Sequence, residues 1–237
     1  MSKKAGMLLV DKPSGISSHT VVNWARKAFG VKKIGHTGTL DPLASGLLVL
    51  LVSREYTKLQ DTYLKQDKEY FVVAELGVVS DTFDRMGRVE QTATYDELAL
   101  VTQSQIDSAL HAFVGESLQT VPAFSAVKIA GEKLYDLARK GNIDTFDLPT
   151  RSITLTNIVL HSVMRDGQQK KVFVTFSVGC SSGTYVRSLV QDFGVTLGCG
   201  ALVSELRRER IGTFCIQDEQ TICPVVPKRF HITKKSL

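Results

Sequence analysis

The sequence predicts an α+β fold in which a mixed, largely antiparallel sheet is flanked by helices. Residues 170–179 alternate apolar and polar side chains, which is typical of a half-buried strand. Between Ser17 and Gly30, apolar residues recur at the spacing of one helix face. No repeat, low-complexity tract or linker divides the 237 residues. We therefore expect one domain over residues 1–225, followed by a basic tail at 226–237.

Local signals place the elements in chain order. A short strand at 7–10 leads into the Lys12-Pro13 turn. Ser17 or Ser18 then caps a helix that runs to about Phe29, and Gly30 ends it. The following elements are a buried strand at 71–74, a polar loop at 80–88, a helix from Ser104 to a stop at Gly115, a short helix at 133–140 and a helix after Gly183.

Bulk composition excludes several classes of protein. No window approaches the roughly 18 consecutive apolar residues that a membrane span needs, and no secretory signal follows Met1. We therefore expect a cytoplasmic protein. The four cysteines lack the spacing of a zinc site, and we predict that all are free thiols: Cys180, Cys199, Cys215 and Cys223.

The chain is modestly cationic, with a formal net charge of +5 and a pI near 9.0. This balance is compatible with a polyanionic partner but does not require one. Basic residues cluster at several places along the chain: 26–33, 139–140, 207–210 and 228–235. Each cluster alone is typical of a solvated surface.

The most informative segment is residues 35–46, with the sequence GHTGTLDPLASG. Pro42 disfavours the helical conformation for Asp41, and the surrounding glycines permit tight turns. The segment therefore presents one carboxylate on a loop in front of an apolar run at 47–52. The residues alone favour a simple Asp-Pro turn between core elements over a functional acid.

Five segments in the same order resemble motifs of the TruB family of tRNA pseudouridine synthases. The family signature G-H-T-G-x-L-D-P-x-A-x-G is similar to residues 35–46. The other matching segments are 9–18 (D-K-P-x-G-x-[ST]-S), 68–70 with 74–77 (K-x-Y…LG), 122–128 with Gly131 and Tyr135 (P-x-x-S-A-x-K…), and 182–189 (G-T-Y-[IV]-R-[ST]-L).

The resemblance implies the pseudouridine synthase fold, with an inserted thumb near residues 120–150. It also implies that uridine is isomerised to pseudouridine without a cofactor or a metal. Asp41 would be the catalytic carboxylate, and Tyr70 would stack on the uracil ring and assist proton transfer. Arg187 would keep the acid ionised, since a nearby cation opposes the effect of burial on a carboxylate.

The same resemblance implies the substrate contacts. The target would be uridine 55 in the T-arm of tRNA, RNA rather than DNA, with no membrane partner and a monomeric enzyme. The target base must leave its stack, and His36 would insert into the opened RNA loop. Leu206 would line the uracil site, and Tyr185 would either line the same pocket or pack in the interior. The residues expected to contact phosphates are Lys12, Lys128 and Arg207.

Two departures from the family pattern and two alternative functions remain. Bacterial members commonly carry a carboxy-terminal PUA-type domain, which we expect to be absent here, with weaker RNA binding as a result. Ser53 stands where the family usually has glycine. One alternative function is a tRNA-binding folding factor with secondary or lost isomerase activity. The other, a hydrolase that pairs Asp41 with a second acid, is disfavoured because Asp11 and Glu75 lie in turn and strand contexts.

Overall fold

A computed structural model describes residues 5–129, 131–140 and 147–218. Within these residues the chain forms thirteen strands and seven helices. The strands are β1 Gly6–Lys12, β2 Ile34–His36, β3 Ser45–Val52, β4 Lys68–Leu76, β5 Val78–Ser80, β6 Val89–Gln91, β7 Gly115–Thr120, β8 Lys128–Ile129, β9 Glu132–Lys133, β10 Thr150–Asp166, β11 Lys171–Cys180, β12 Ala201–Ile211 and β13 Phe214–Cys215. The helices are α1 Ser18–Phe29, α2 Arg54–Thr57, α3 Gln60–Leu64, α4 Tyr95–Ala99, α5 Gln103–His111, α6 Leu134–Arg139 and α7 Val186–Thr196.

The chain divides into two compact units, and the boundary falls within β4 and β12. The first unit comprises Met1–Phe71 and Glu205–Leu237, and the second comprises Val72–Ser204. The single domain predicted over 1–225 remains a prediction. The predicted basic tail lies outside the described residues, as does Cys223.

The first unit has a mixed sheet centred on β3. β1 and β2 pair with β3 in the antiparallel sense, whereas β12 runs parallel to it through Arg207 and Arg208. Residues 47–51 of β3 are fully buried, because strands lie on both sides and α1 packs nearby. An uninterrupted apolar run is what such a central strand requires.

Helix α1 begins and ends at the residues that the sequence indicates. The side chain of Ser17 accepts a hydrogen bond from the backbone N–H of Thr20, and Gly30 adopts the left-handed conformation with φ of 65°. The apolar stripe of the helix is buried at Val21, Ala25 and Phe29. The helical prediction for this segment is confirmed.

The second unit has an antiparallel sheet in which β10 pairs with both β11 and β7. The alternation predicted for β11 is confirmed, since Val172, Val174, Phe176 and Val178 are all buried. Two hairpins accompany this sheet, β5–β6 and β8–β9. The β8–β9 hairpin lies within the segment expected to form the thumb.

The predicted fold class, a mixed and mostly antiparallel sheet with flanking helices, is confirmed. Boundaries differ in places: α5 begins at Gln103, because Thr102 and Gln105 form a reciprocal capping box two residues before the predicted start. Among the described cysteines, Cys180, Cys199 and Cys215 are free thiols, as predicted. None of the described helices is long and apolar enough to cross a membrane.

Ser53 carries backbone strain at the point where β3 leads into α2. Its φ of 91° and ψ of 165° lie in a region that is essentially restricted to glycine. Its hydroxyl is buried and makes no hydrogen bond. The departure from the glycine usual in the family therefore has a structural cost.

We predict that Ser53→Gly stabilises the protein. Relief of the strain outweighs the greater chain entropy of glycine, so the free energy of unfolding should rise by about 1 kcal/mol. Chemical denaturation of wild type, Ser53→Gly and Ser53→Ala measures the effect. Alanine removes the unsatisfied hydroxyl but keeps the strained backbone, so an equal gain from both variants would contradict the strain interpretation.

Candidate active site

Asp41 lies in a turn that residues 14–18 hold by hydrogen bonds on both sides. The hydroxyl of Ser18 donates to the carbonyl of Leu40 at 2.9 Å and accepts from its N–H at 2.8 Å. Beyond Asp41, the carbonyl of Pro42 accepts from the N–H of Gly15 at 2.8 Å. The carbonyl of Leu43 accepts from the hydroxyl of Ser14 at 2.6 Å. These contacts join two segments that the sequence singled out separately and leave Asp41 half-buried between them.

Lys12 is fully buried, with 0% exposure, next to this turn. Its ammonium donates to three carbonyl oxygens, those of Ile16 at 2.7 Å, Pro13 at 2.9 Å and Pro42 at 3.5 Å. Burial lowers the pKa of Lys12 from 10.5 to about 8, although the charge of Asp41 acts in the opposite direction. This burial argues against the expected phosphate contact, because a phosphate cannot reach an ammonium without exposed surface.

His36 stands at the end of β2, five residues before Asp41. Burial lowers the pKa of His36 below its ordinary value of 6.5, and the neighbouring Arg208 and His19 act in the same direction. Its Nδ1 accepts a hydrogen bond from the N–H of Gly38 at 3.4 Å. The ring is therefore neutral at pH 7 with its proton on Nε2, which leaves Nε2–H as a donor.

Two more buried cations flank the glycine turn that precedes Asp41. Arg208, 1% exposed, donates from Nη2 to the carbonyl of Gly38 at 3.0 Å and from Nε to that of Leu47 at 2.8 Å. Lys68 is also buried, and its ammonium donates to the carbonyls of Leu64 and Gln66. A Cβ placed on Gly38 would lie 3.5 Å from Arg208 Nη1 and 3.9 Å from Lys68 Cε, so both cations lie close to this turn.

The remaining predicted residues of the first unit lie on β4 and β12. Tyr70 is 8% exposed and shares the buried face of β4 with Lys68. Leu206 is also buried, on β12. Arg207 forms a bidentate ion pair with Asp11, with N–O distances of 2.7 and 3.0 Å, and its side chain is partly exposed. It therefore retains a surface that an RNA phosphate can reach.

Arg187, in the second unit, is buried near the start of α7. Its Nη1 donates to the carbonyl of Thr82 at 2.6 Å and its Nη2 to that of Phe124 at 3.0 Å. Its Nε lies 3.9 Å from Asp84 Oδ2, and both side chains are buried. Arg187 thus connects the loop after β5 to the segment after β7 within this unit.

Asp84 was not predicted from the sequence, where residues 80–88 appear as a polar loop. Its carboxylate accepts from the hydroxyl of Thr82 at 2.8 Å and from the N–H of Met86 at 2.9 Å. The neighbouring backbone joins β12, since Val203 exchanges hydrogen bonds with Phe83 and Arg85. The D-T-x-D spacing is a local signal for such a side-chain turn, but not for its burial.

Tyr185 is held through its backbone by the buried side chain of Gln119. The amide of Gln119 donates to the carbonyl of Tyr185 at 3.1 Å and accepts from its N–H at 2.8 Å. The Arg151 guanidinium lies 5.4 Å from the centre of the Tyr185 ring. Lys128 is exposed on β8, so it is available to a phosphate. Arg187, Tyr185 and Lys128 belong to the second unit, and their predicted roles remain predictions.

The structure gathers a specific set of groups in the first unit: Asp41 with Lys12, His36, Ser18 and Arg208. Lys12 and His36 were singled out from the sequence, whereas the contacts of Ser18 and Arg208 were not. Within residues 5–129, 131–140 and 147–218, no group of three or more His, Cys, Asp or Glu side chains is arranged to hold a metal ion.

Comparison with known proteins adds the family evidence. A family model described as TruB family pseudouridylate synthase (N terminal domain) matches residues 26–186. A second, described as tRNA pseudouridylate synthase B C-terminal domain, matches residues 187–224.

Individual relatives agree with these matches. The tRNA pseudouridine synthase B of Protochlamydia amoebophila is 43% identical over 213 residues, which cover 90% of this chain and 76% of the relative. The Chlamydia felis protein of the same name is 42% identical over 217 residues, 90% of this chain and 85% of the relative. A solved structure described as a Cbf5-Nop10-Gar1 complex aligns with a TM-score of 0.67 at 32% identity. That alignment covers 92% of this chain and 52% of the solved chain, so this chain spans about half of it.

We predict that Lys12 makes the free energy of unfolding depend on pH between about 8 and 10.5. The unfolded chain keeps the Lys12 proton up to about pH 10.5, whereas the folded protein loses it near pH 8. Between these values the unfolded state binds more protons, so the free energy of unfolding rises with pH. Relative to Lys12→Met, wild type should gain up to about 3 kcal/mol across this window, measured by urea denaturation. The exposed Lys27→Met should track wild type, and parallel curves for wild type and Lys12→Met would contradict the prediction.

We predict that Asp84→Asn destabilises the second unit. The amide keeps an acceptor for Thr82 and Met86 but removes the charge beside Arg187, so the free energy of unfolding should fall by roughly 1–3 kcal/mol. Asp81→Asn is the matched control, since Asp81 is exposed on the same loop and should change stability by less than about 0.5 kcal/mol. Equal losses from the two variants in chemical denaturation would rule out a special role for the buried carboxylate.

Proposed function

Because this chain belongs to the TruB family of pseudouridine synthases, we propose that it converts uridine 55 in the T-loop of tRNA into pseudouridine. The observation that carries the proposal is the setting of Asp41, a carboxylate in a turn fixed from both sides and placed in the field of a buried lysine. The names of the relatives, tRNA pseudouridine synthase B, support tRNA as the substrate.

The proposed reaction is an isomerisation that neither adds nor removes atoms overall. The bond between N1 of the base and C1′ of the ribose breaks, the base turns, and a bond forms between C5 and C1′. The proton displaced from C5 leaves to a base, and N1 gains a proton in exchange. One carboxylate that acts as a nucleophile or as a base meets these requirements. Attack on the ribose, attack on the base and removal of a sugar proton are all within the reach of this chemistry.

The role of Asp41 requires its charged form, and the first unit supplies the necessary field. Lys12, buried and bonded to the carbonyl of Pro42, lies close enough to Asp41 for the two charges to interact. We propose that Lys12 serves the acid in this way rather than by contacting RNA. Arg187 is the further cation that the family motif assigns to the acid, and its pairing with Asp84 holds it in one orientation.

The uracil must be turned out of its stack to meet the acid. We propose that Tyr70 stacks on the uracil ring and assists proton transfer at C5, while Leu206 and Tyr185 line the site. His36 enters the space opened in the RNA loop as a neutral imidazole. Its Nε2–H can donate to an RNA acceptor, and a neutral ring is less costly to desolvate than a charged one.

Phosphate contacts are assigned to exposed cations in this proposal. Lys128 and the partly exposed Arg207 are accessible, and such contacts position RNA without selecting its sequence. Shape and 2′-hydroxyl groups of the T-arm then distinguish it from DNA. A monomer acting in the cytoplasm on this single hairpin completes the proposal.

We predict that Asp41→Asn abolishes catalysis while RNA binding persists. The amide keeps the shape of the side chain but is neither a nucleophile nor a base, so product formation should fall by more than ~10³-fold. The measurement is tritium release from a T-arm hairpin labelled at C5 of its uridines, alongside binding to the same hairpin. The matched control is Asp61→Asn, an exposed acid of the same unit, which should retain full activity.

Each other outcome has a definite meaning. Full turnover by Asp41→Asn would refute the catalytic assignment. Tight hairpin binding by wild type without tritium release would instead identify a tRNA-binding folding factor. Release from a hairpin that carries cytidine at position 55 would refute the target position.

A further inference from the structure

We propose that Ser18 and Arg208 are positioning residues that fix residues 38–40, and thereby Asp41, in the geometry needed for catalysis. The inference rests on the proposed role of Asp41. It concerns two buried side chains of the first unit that contact the backbone just before the acid, from α1 on one side and from β12 on the other.

Ser18 forms hydrogen bonds with the backbone of Leu40, the residue that precedes Asp41. It is 2% exposed, and its hydroxyl both donates to the carbonyl and accepts from the N–H of Leu40, which is 22 residues away in sequence. Hydrogen bonds to both the N–H and the carbonyl of Leu40 restrict backbone rotation on the amino side of Asp41. The neighbouring Ser17 already caps α1 through the N–H of Thr20, so the contacts of Ser18 are not needed for the helix start.

Arg208 binds the same segment at Gly38, three residues before Asp41. Its Nη2 binds the carbonyl of Gly38, and its Nε binds that of Leu47 on β3. The planar guanidinium therefore ties the glycine turn to the strand behind it, which an ammonium with its single nitrogen cannot do in the same geometry. A Cβ at Gly46 would lie 2.2 Å from the carbonyl oxygen of Arg208, so the backbones are in close contact here as well.

The hydrogen bonds of Ser18 and Arg208 hold the segment between His36 and Asp41 but do not hold His36 itself. His36 is fixed separately, because β2 pairs with β3 at the register His36 to Leu50. Loss of the hydrogen bonds made by Ser18 or by Arg208 should therefore displace Asp41, while the proposed RNA contact of His36 stays in place. In kinetic terms, the expected loss is in kcat and not in KM.

The first experiment compares Ser18→Ala with Ser17→Ala. Both variants remove a hydroxyl near the start of α1, and we expect each to lower the unfolding temperature by roughly 2–4 °C. Ser18→Ala should lower kcat for the T-arm hairpin by roughly tenfold to a hundredfold with KM unchanged, since a displacement of about 1 Å costs that much. Ser17→Ala should retain the wild-type kcat.

A second readout needs no RNA. Hydrogen exchange of the Leu40 amide should become faster in Ser18→Ala, which removes its acceptor, and should stay at the wild-type rate in Ser17→Ala. Arg208→Lys tests the hydrogen bonds from β12, and it should lower kcat without changing KM. Arg210→Lys, at a partly exposed residue of the same strand, should leave both unchanged. Arg208→Lys also decides the matter if Ser18→Ala does not fold.

The outcomes separate the inference from the function on which it rests. If Asp41→Asn is inactive but Ser18→Ala and Arg208→Lys keep the wild-type kcat, the positioning role is refuted and the catalytic assignment stands. A rise in KM with unchanged kcat would refute positioning in favour of RNA binding. If Asp41→Asn retains full turnover, the catalytic role of Asp41 fails and the positioning role fails with it, whatever the exchange rate of Leu40; if wild type itself releases no tritium, the proposed function fails.

Discussion

The site depends on the hydrogen-bonded contact between residues 14–18 and the turn that carries Asp41. Pro42 prevents this turn from continuing as a helix, and the turn itself has few bonds that could fix it. Backbone groups left buried without partners would be costly, so neighbouring segments must satisfy them. Gly15, Ser14 and Ser18 do so on both sides of the acid. The segment at 14–18 is thus best understood as the structural support of the turn that carries Asp41.

Buried positive charge is the second property of this region. Lys12, Lys68 and Arg208 are nearly or fully buried, and each directs its charged group at backbone carbonyls. Carbonyl dipoles satisfy the donors but do not neutralise the charge, and the lowered pKa of Lys12 reflects this cost. The result is a region of the first unit in which buried positive charge lies close to Asp41.

The periodicity and the motifs of the sequence together predicted much of the fold and of the candidate site. The elements that they missed have physical explanations. α1 and β11 each bury one face, so a period of 3.6 or 2 is visible in the sequence. β12 was not predicted: it is buried on both faces in its first half and carries three arginines in its second half, a pattern that has neither period.

The site shows the same division. Asp41, Tyr70 and His36 stand in short motifs that a family resemblance can identify. The contacts of Ser18 and Arg208 with residues 38–47 and that of Asp84 with Arg187 are tertiary, and nothing near these residues in sequence indicates those partners. Ser18 resembles an alternative helix cap, and Arg208 resembles a surface charge. For both Ser18 and Arg208, contacts with residues distant in sequence determine where the side chain lies.

The dependence of the glycine turn on Arg208 has a consequence for protein synthesis. Arg208 binds Gly38 across 170 residues and Leu47 across 161. On the ribosome, the amino-terminal segments emerge long before the strand that carries Arg208, so a nascent chain holds this turn through residues 14–18 alone. A product that ends before residue 208 would contain the motif at 35–46 without the hydrogen bonds by which Arg208 joins Gly38 to Leu47.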